Sequence, residues 1–298
     1  MTLVVKIGGG AGIATESIAG EIAQCIAVGQ RVIVLHGGSG LTNTLSEQLG
    51  HSPRMITSPG GMVSRYTDRQ TLRIYMMAVA GQINTELVAL LQQQGVNALG
   101  LTGVDGRLLL ARRKFVVRSV TPEGRIHILR DDYTGQVEQV NDALLCQLLD
   151  AGYTPVIAPL AMSRDAECLN VDGDRAAAAV ASALHASTLV ILTNVPGLLR
   201  DPDDHATLIR HIPADQLPGH MEYARGRMRK KLLGAQEALQ GGVQRVVIGA
   251  SLQGALRGIG TTIEAIEQEE LDAREERPSI WRDSMQLDAT IQSERNLM

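Results

Sequence analysis

Hydrophobic positions near the N-terminus fall in short unbroken blocks, each ending in glycine. Thr2-Leu3-Val4-Val5-Lys6-Ile7 runs into Gly8-Gly9-Gly10, and Arg31-Val32-Ile33-Val34-Leu35 runs into His36-Gly37-Gly38-Ser39-Gly40. Blocks of this length without polar alternation suit strands buried on both faces. Between them, Ile18, Ile22 and Ile26 recur at helical spacing over residues 16–28, with Thr15 placed to cap and Gly29 to stop. A second helix is expected over 41–49. Strand, helix, strand, helix predicts a parallel sheet with right-handed crossovers. Both glycine turns then lie at the carboxyl ends of strands, where open α/β sheets take their ligands.

Farther along, residues 51–64 carry Pro53, Pro59, Gly60 and Gly61 and read as loop, and 65–91 as a long helical region. Strands are expected at 97–101, 107–110, 115–120, 125–129 and 155–158. Pro122-Glu123-Gly124 turns one hairpin, and Arg112-Arg113-Lys114 falls in a loop before it. Residues 140–150 read as helix. The second half repeats the alternation. An alanine-rich helix spans 172–184, a strand at 188–192 enters Thr193-Asn194-Val195-Pro196-Gly197, a long helix covers 221–239, and a strand follows at 245–248.

With 2% aromatic residues the core must be aliphatic, and a nucleic-acid platform of stacked rings is not expected. No uninterrupted apolar run reaches the roughly 18 residues of a membrane span. No basic segment precedes the first strand, as a signal peptide would need. Cys25, Cys146 and Cys168 are odd in number and widely spaced in apolar contexts, which points to buried thiols in a reducing, cytoplasmic setting. The net charge of −4 is uneven: residues 264–298 hold ten acidic and four basic residues, a balance of −6, leaving +2 for the body. That extension reads as a solvated helix or a disordered tail.

The chemistry must come from other signals than the common motifs. The chain has no G-x-x-x-x-G-K-[ST], no G-x-G-x-x-G and no zinc spacing among its seven histidines. Lys6 is anomalous, because an ammonium in a core strand is costly unless paired. Beside it, bare glycine amides can hold an anion, as can the Gly37-Gly38-Ser39-Gly40 turn opening a helix. Asn170-Val171-Asp172-Gly173-Asp174, at the start of the alanine-rich helix, and Gly226-Arg227-Met228-Arg229-Lys230-Lys231, on or entering the next long one, add two more polar clusters. Each has a plain alternative: Asp172 or Asp174 as an N-cap, Lys230 and Lys231 as a solvated face, His36 as a structural hydrogen-bonder.

Taken in order, Val5–Gly9, His36–Ser39, Ser64–Asp68, Asn170–Asp174, Asn194–Leu198 and Gly226–Met228 with Lys231 resemble the amino acid kinase family, in its acetylglutamate kinase branch. His51–Arg54, Ser58–Arg65, Asp105–Leu108, Ala111–Lys114 and Asp132–Gly135 are most similar to the branch that acts on an acceptor tethered to an amino-group carrier protein of the LysW type. Ser39 stands where acetylglutamate kinases commonly carry a third glycine.

The resemblance implies an α/β, three-layer αβα sandwich with a mainly parallel central sheet. The kinase domain would span 1–263, with an acceptor lobe to about 170 and an ATP lobe beyond it. It implies transfer of a phosphoryl group from ATP, with Mg²⁺ held mainly by ATP oxygens, to the side-chain carboxylate of carrier-linked 2-aminoadipate or glutamate, in lysine or arginine biosynthesis. Lys6 and Lys231 would flank the transferred group, and Asp174 would orient both. Gly37, Gly38, Ser39, Arg65 and Asn170 would bind the acceptor. Gly8, Gly9, Asn194, Val195, Gly197, Leu198, Gly226 and Met228 would line the nucleotide site. Arg112, Arg113 and Lys114 would dock a small acidic carrier, the alternative being an ordinary exposed basic turn. A homodimer is the family's expectation, with no nucleic-acid or membrane partner. Acetylglutamate kinase and a non-catalytic amino-acid sensor of the same fold remain the alternative functions.

Overall fold

In the central sheet every second side chain serves a different core. The computed structural model describes residues 2–10, 12–121 and 123–265; the acidic extension lies, from residue 266 onward, outside the described residues. In β1 (Thr2–Ile7), Leu3, Val5 and Ile7 pack with Ile18 and Ile22 on one side, while Val4 joins a second core on the other. Lys6 shares the direction of Val4. Both faces are covered, so the expected unbroken apolar blocks are what such strands require.

After α1 (Thr15–Ala27) and β2 (Arg31–His36), α2 (Ser39–Gln48) starts within the second glycine turn. Thr15 lies inside α1, whose capping position is Ala14, with no side-chain cap. The segment expected to be loop holds a short hairpin, β3 (Met55–Thr57) and β4 (Val63–Arg65), so Arg65 ends a strand. Helix resumes only where the Asp68 carboxylate accepts the Thr71 N–H at 2.7 Å. It continues through α3 (Arg69–Met76), a π segment (Met77–Ile83) and α4 (Asn84–Gln93). This 25-residue helix is long and apolar enough to cross a membrane by length and composition; its Leu72, Ile74, Val79, Leu87 and Leu91 are buried in the protein.

β5 (Ala98–Thr102) ends the sheet on one side. Next come β6 (Leu109–Arg113), the hairpin β7 (Val117–Val120) and β8 (Ile126–Leu129), β9 (Thr134–Val140), α5 (Asp142–Asp150), β10 (Thr154–Ala158), β11 (Leu160–Met162) and β12 (Cys168–Val171). The second half contains α6 (Gly173–Ala183), β13 (Thr188–Leu192), β14 (His211–Pro213), α7 (Leu217–His220), α8 (Arg227–Gln240), β15 (Arg245–Gly249), α9 (Leu252–Leu256) and β16 (Thr261–Glu264).

The eight-stranded sheet has the order β14-β16-β15-β13-β1-β2-β10-β5. From β15 to β5 all neighbours are parallel, and β16 runs antiparallel to β15. Strands β11, β12, β9 and β6 close a small barrel beside it. The sequence reading missed this barrel except for part of β6. It also placed Arg112 and Arg113 in a loop, whereas they are the last residues of β6. The expected helix 221–239 begins six residues late, because Gly226 stands at φ +54° and breaks it. Cys146 is exposed, unlike the other two thiols.

Residues 1–265 cluster as one unit, and within it α8 lies tightly on α6. A Cβ at Gly234 would sit 3.0 Å from the Asp174 carbonyl oxygen. Helix propensity alone favours alanine over glycine by about 1 kcal/mol. At Gly81, also helical but with nothing within 4 Å of a built Cβ, Ala should raise the thermal midpoint. Gly234→Ala should lower it despite the same propensity gain, as thermal unfolding of the two variants would show.

Candidate active site

Two glycine loops meet backbone to backbone. A Cβ on Gly37 would lie 2.6 Å from the Gly9 nitrogen, and one on Gly9 would collide with Gly37 and Gly38. The Gly9 carbonyl accepts the Gly40 N–H at 2.9 Å and the Ser39 hydroxyl at 3.3 Å. Gly8 donates to the Leu192 carbonyl at 3.1 Å. Sequence alone gave the glycines a generic role; contact between the loops requires Gly9 and Gly37 themselves.

Asp172 opens α6: its Oδ1 accepts the N–H groups of Asp174 and Arg175 at 3.1 and 3.2 Å. This fixes the turn that presents Asp174. Lys6 Nζ reaches Asp174 Oδ1 at 2.7 Å, and Lys231 Nζ reaches Oδ2 at 3.3 Å. Lys6, Asp174 and Lys231 are 5, 7 and 7% exposed, so one carboxylate holds two buried ammonium groups. Burial opposes ionisation of Asp174, but the Lys6 and Lys231 charges prevail and hold its pKa at about 2. Burial, and then repulsion from Lys6, lower Lys231 to about 8 against the pull of Asp174 and Asp172. His36 is buried and neutral: burial brings its pKa to about 4. Its Nδ1 lies 3.0 Å from the Gly37 carbonyl, and its Nε2 lies 3.1 Å from the Asn84 amide nitrogen, which also donates to Val156 at 2.9 Å. These contacts assign the proton to Nδ1 and make His36 a structural residue.

Around the clamp lies a cavity of about 790 Å³. Gly8, Gly9, Gly37, Gly38, Ser39, Arg65, Asn170, Asn194, Val195, Gly197, Leu198 and Met228 all line it with the three clamp residues. Gly226 does not, although Arg225 and Arg227 on either side of it do; its positive φ sets the entry into α8. In the loop after β13, a Cβ on Gly197 would meet Thr261 Oγ1 at 2.5 Å, and Thr261 Oγ1 accepts the Leu198 N–H at 2.8 Å.

Arg65 Nη2 donates to the Ser39 carbonyl at 3.2 Å and to Asn43 Oδ1, while its Nη1 is buried with no hydrogen-bond partner. A buried donor left unmade is expensive, so the cavity wall offers one guanidinium edge to a ligand acceptor. Asn170 is held by its amide donating to Thr67 Oγ1 at 3.0 Å.

The three basic residues 112–114 do not form one patch. Arg113 is an internal residue: its Nε donates to the Asp132 carbonyl at 2.9 Å, its Nη1 pairs with Glu167 at 3.0 Å, and it stacks 3.7 Å from the Tyr133 ring centroid. With the side chain 10% exposed, it is unavailable for docking. Asp132 in turn accepts the Thr67 and Thr134 N–H groups, so this network braces the segment after Arg65. Arg112 is exposed and pairs with Glu138 at 2.9 Å, and Lys114 lines the cavity at its rim.

Sequence reasoning missed Asn43, Met55 and Met62 in the cavity wall, and Gln136 and Val137 from β9. It also missed the Arg175–Glu237 pair, bonded through Nε at 2.9 Å. Eight cationic and three acidic side chains line the cavity, which suits anionic ligands. No cluster of three metal-ligating side chains occurs among the described residues, and Asp172 and Asp174 are engaged by lysines. A divalent ion therefore fits this site only on ligand oxygens.

The chain is 50% identical over 266 residues to a [LysW]-aminoadipate kinase of Deinococcus radiodurans, covering 88% of this chain and 91% of that protein. It is 47% identical to the enzyme of that name from Thermus thermophilus, covering 88 and 99%. An acetylglutamate kinase of Methanopyrus kandleri matches at 40%, covering 87 and 99%. The solved carbamate kinase of Giardia lamblia bound to AMP-PNP shares the fold, with TM-score 0.62 at 16% identity over 89% of this chain and 98% of that one. The sequence profile of the amino acid kinase family matches residues 1–250, and the chain belongs to that family and is a phosphotransferase.

Proposed function

We propose that this kinase transfers the γ-phosphoryl of ATP to the side-chain carboxylate of 2-aminoadipate tethered to a small acidic carrier of the LysW type, in lysine biosynthesis. The observation that carries the reading is the Lys6–Asp174–Lys231 clamp in a cation-lined cavity, joined to relatives bearing that name. Carrier-linked glutamate, which would serve arginine biosynthesis, is a second acceptor of the same class, as several related kinases are named for both. One methylene is worth only about 1–3 kcal/mol in a pocket.

An acceptor carboxylate is already ionised at neutral pH, so no general base is needed. Lys6 and Lys231 neutralise the charge that spreads over the moving phosphoryl, and Asp174 keeps them in place and protonated. The free edge of Arg65, with Asn170, grips the acceptor's second carboxylate. Gly8 and Gly9 offer amides to phosphate, and Gly37 and Gly38 to the acceptor. Asn194, Val195, Gly197, Leu198 and Met228 wall the nucleotide. Mg²⁺ when bound adds charge neutralisation on the ATP oxygens.

Carrier docking falls to the rim. The outward side of the β7–β8 hairpin joins exposed Ile126 and Ile128 to exposed Arg118, and Phe115, Val116, Arg112, Arg125 and Arg130, all exposed, flank it in sequence. Apolar residues among arginines are interface-like, and their charge suits an acidic partner. Lys114 leads from this rim into the cavity. A homodimer would use the exposed Met76 and Met77 of the long helix and the open β5 edge. A cytoplasmic location belongs to the same reading, since the carrier and the biosynthetic substrates would be met there.

Lys6→Ala and Lys231→Ala should each lower kcat roughly 10²–10³-fold, and steady-state assays with carrier-linked aminoadipate would check this. Turnover of N-acetylglutamate at equal or higher kcat/KM would favour acetylglutamate kinase instead. Reversing Arg112, Arg118 and Arg125 to Glu should weaken carrier binding at low salt, read by calorimetry, and leave ATP affinity unchanged.

The clamp also has an acid signature. The Asp174 pKa is depressed from 3.8 to about 2, so its stabilisation is complete above 3.8 and lost as pH falls towards 2. Asp174→Asn strands two buried ammonium groups and should cost about 3–5 kcal/mol near neutrality. In urea denaturation the gap between wild type and variant should close as pH falls through that window.

A further inference from the structure

The first turn of α8 is electrostatically awkward. Arg227, Arg229, Lys230 and Lys231 crowd a helix N-terminus whose first turn holds no acidic residue and whose cap position, Gly226, makes no side-chain cap bond. The macrodipole disfavours cations there. Two carboxylates of α6 answer this crowding from across the helix pair. Asp174 takes Lys231, and Asp172 Oδ2 takes Lys230 at 3.5 Å. Asp172 thus divides its oxygens, Oδ1 capping α6 and Oδ2 holding Lys230. The pair is about a quarter exposed, at 25 and 27%, and both residues line the cavity. From sequence Lys230 reads as a solvated neighbour of Lys231; the structure gives it a partner on the helix that carries Asp174.

We propose that Lys230 and Asp172 form a positioning pair that docks the first turn of α8 on α6 and sets the charge balance around Lys231 for nucleotide phosphate. This rests on the reading of the cavity as an ATP site. Three charged groups bear on the Lys231 ammonium: Lys6 from β1, and Asp174 and Asp172 from α6; Lys230, the neighbouring residue on α8, pairs with Asp172. Lys230 acts on Lys231 through Asp172, whose negative charge it offsets. Removing the Lys230 cation raises the affinity of Lys231 for its proton, and removing the Asp172 anion lowers it. Asn caps a helix as well as Asp does, so Asp172→Asn alters charge and spares the start of α6.

The test is the pH dependence of affinity for a non-hydrolysable ATP analogue with Mg²⁺, which needs no acceptor and so stands apart from the acceptor assignment. Wild-type affinity should fall on an alkaline limb near pH 8, the value set at Lys231. Lys230→Met should move that limb up, and Asp172→Asn should move it down, each by roughly half to one pH unit. Lys230→Arg should restore the wild-type limb. Thermal midpoints would confirm folding, with Lys230→Gln standing in for a Met variant that does not fold. A purely structural pair would move both limbs the same way or change amplitude alone, and either result overturns the proposal, as does an unchanged limb in both variants. Failure of the wild type to bind the analogue would overturn the ATP reading together with the pair that serves it.

Discussion

The structure depends on one carboxylate serving two lysines that lie far apart in the chain. Lys6 lies one residue before the end of a strand buried on both faces, and Lys231 sits in the first turns of a helix more than two hundred residues later. Neither ammonium could be buried alone. Asp174 makes the burial tolerable, and two features of the fold hold it there. Asp172 fixes the turn before it, and Gly234 lets α8 close on the backbone of Asp174 itself. The β13-β1-β2 order then brings both glycine turns and the Thr193–Leu198 loop to the same end of the sheet. The clamp and its anion cradle are thus consequences of one register and one helix contact.

Much of this was legible because the physics is local. Unbroken apolar blocks announced β1, β2 and β13, whose two-sided burial leaves no room for alternation. Lys6 stood out for the same reason, as a charge inside such a block, whereas Arg31 stands at the exposed start of its own. What stayed hidden depends on distant partners. Strands β3, β4 and β11 have three residues each, too few to carry a period, and β4 follows a Pro-Gly-Gly turn that reads as loop. The small barrel is closed by pairings between segments far apart in sequence. Arg113 illustrates the limit best. It lies between Arg112 and Lys114 and looks like part of a basic turn, yet strand alternation sends it inward to Tyr133 and Glu167. Composition reports that a run is basic and says nothing about which of its members is already bonded.

The interior and the rim of the cleft answer different chemical questions. Within, on the proposed reading, paired lysines and glycine amides recognise what every carboxylate phosphorylation shares: an anionic acceptor, a phosphoryl in transit and its charge. Such a site discriminates poorly between chain lengths, since one methylene changes binding by only about 1–3 kcal/mol. Outside, the chain's single phenylalanine, Phe115, is 59% exposed beside Lys114, and the next hairpin keeps Ile126 and Ile128 in solvent among arginines. Leaving scarce aromatic and branched side chains uncovered costs solubility and gives the isolated domain nothing. The cost is intelligible if a second surface covers them. An acceptor delivered on a protein supplies such a surface, and its specificity then comes from area and charge at the rim, which a small free acceptor cannot reach. On the proposed reading the deep pocket need not measure its substrate finely, because the tether has already selected it.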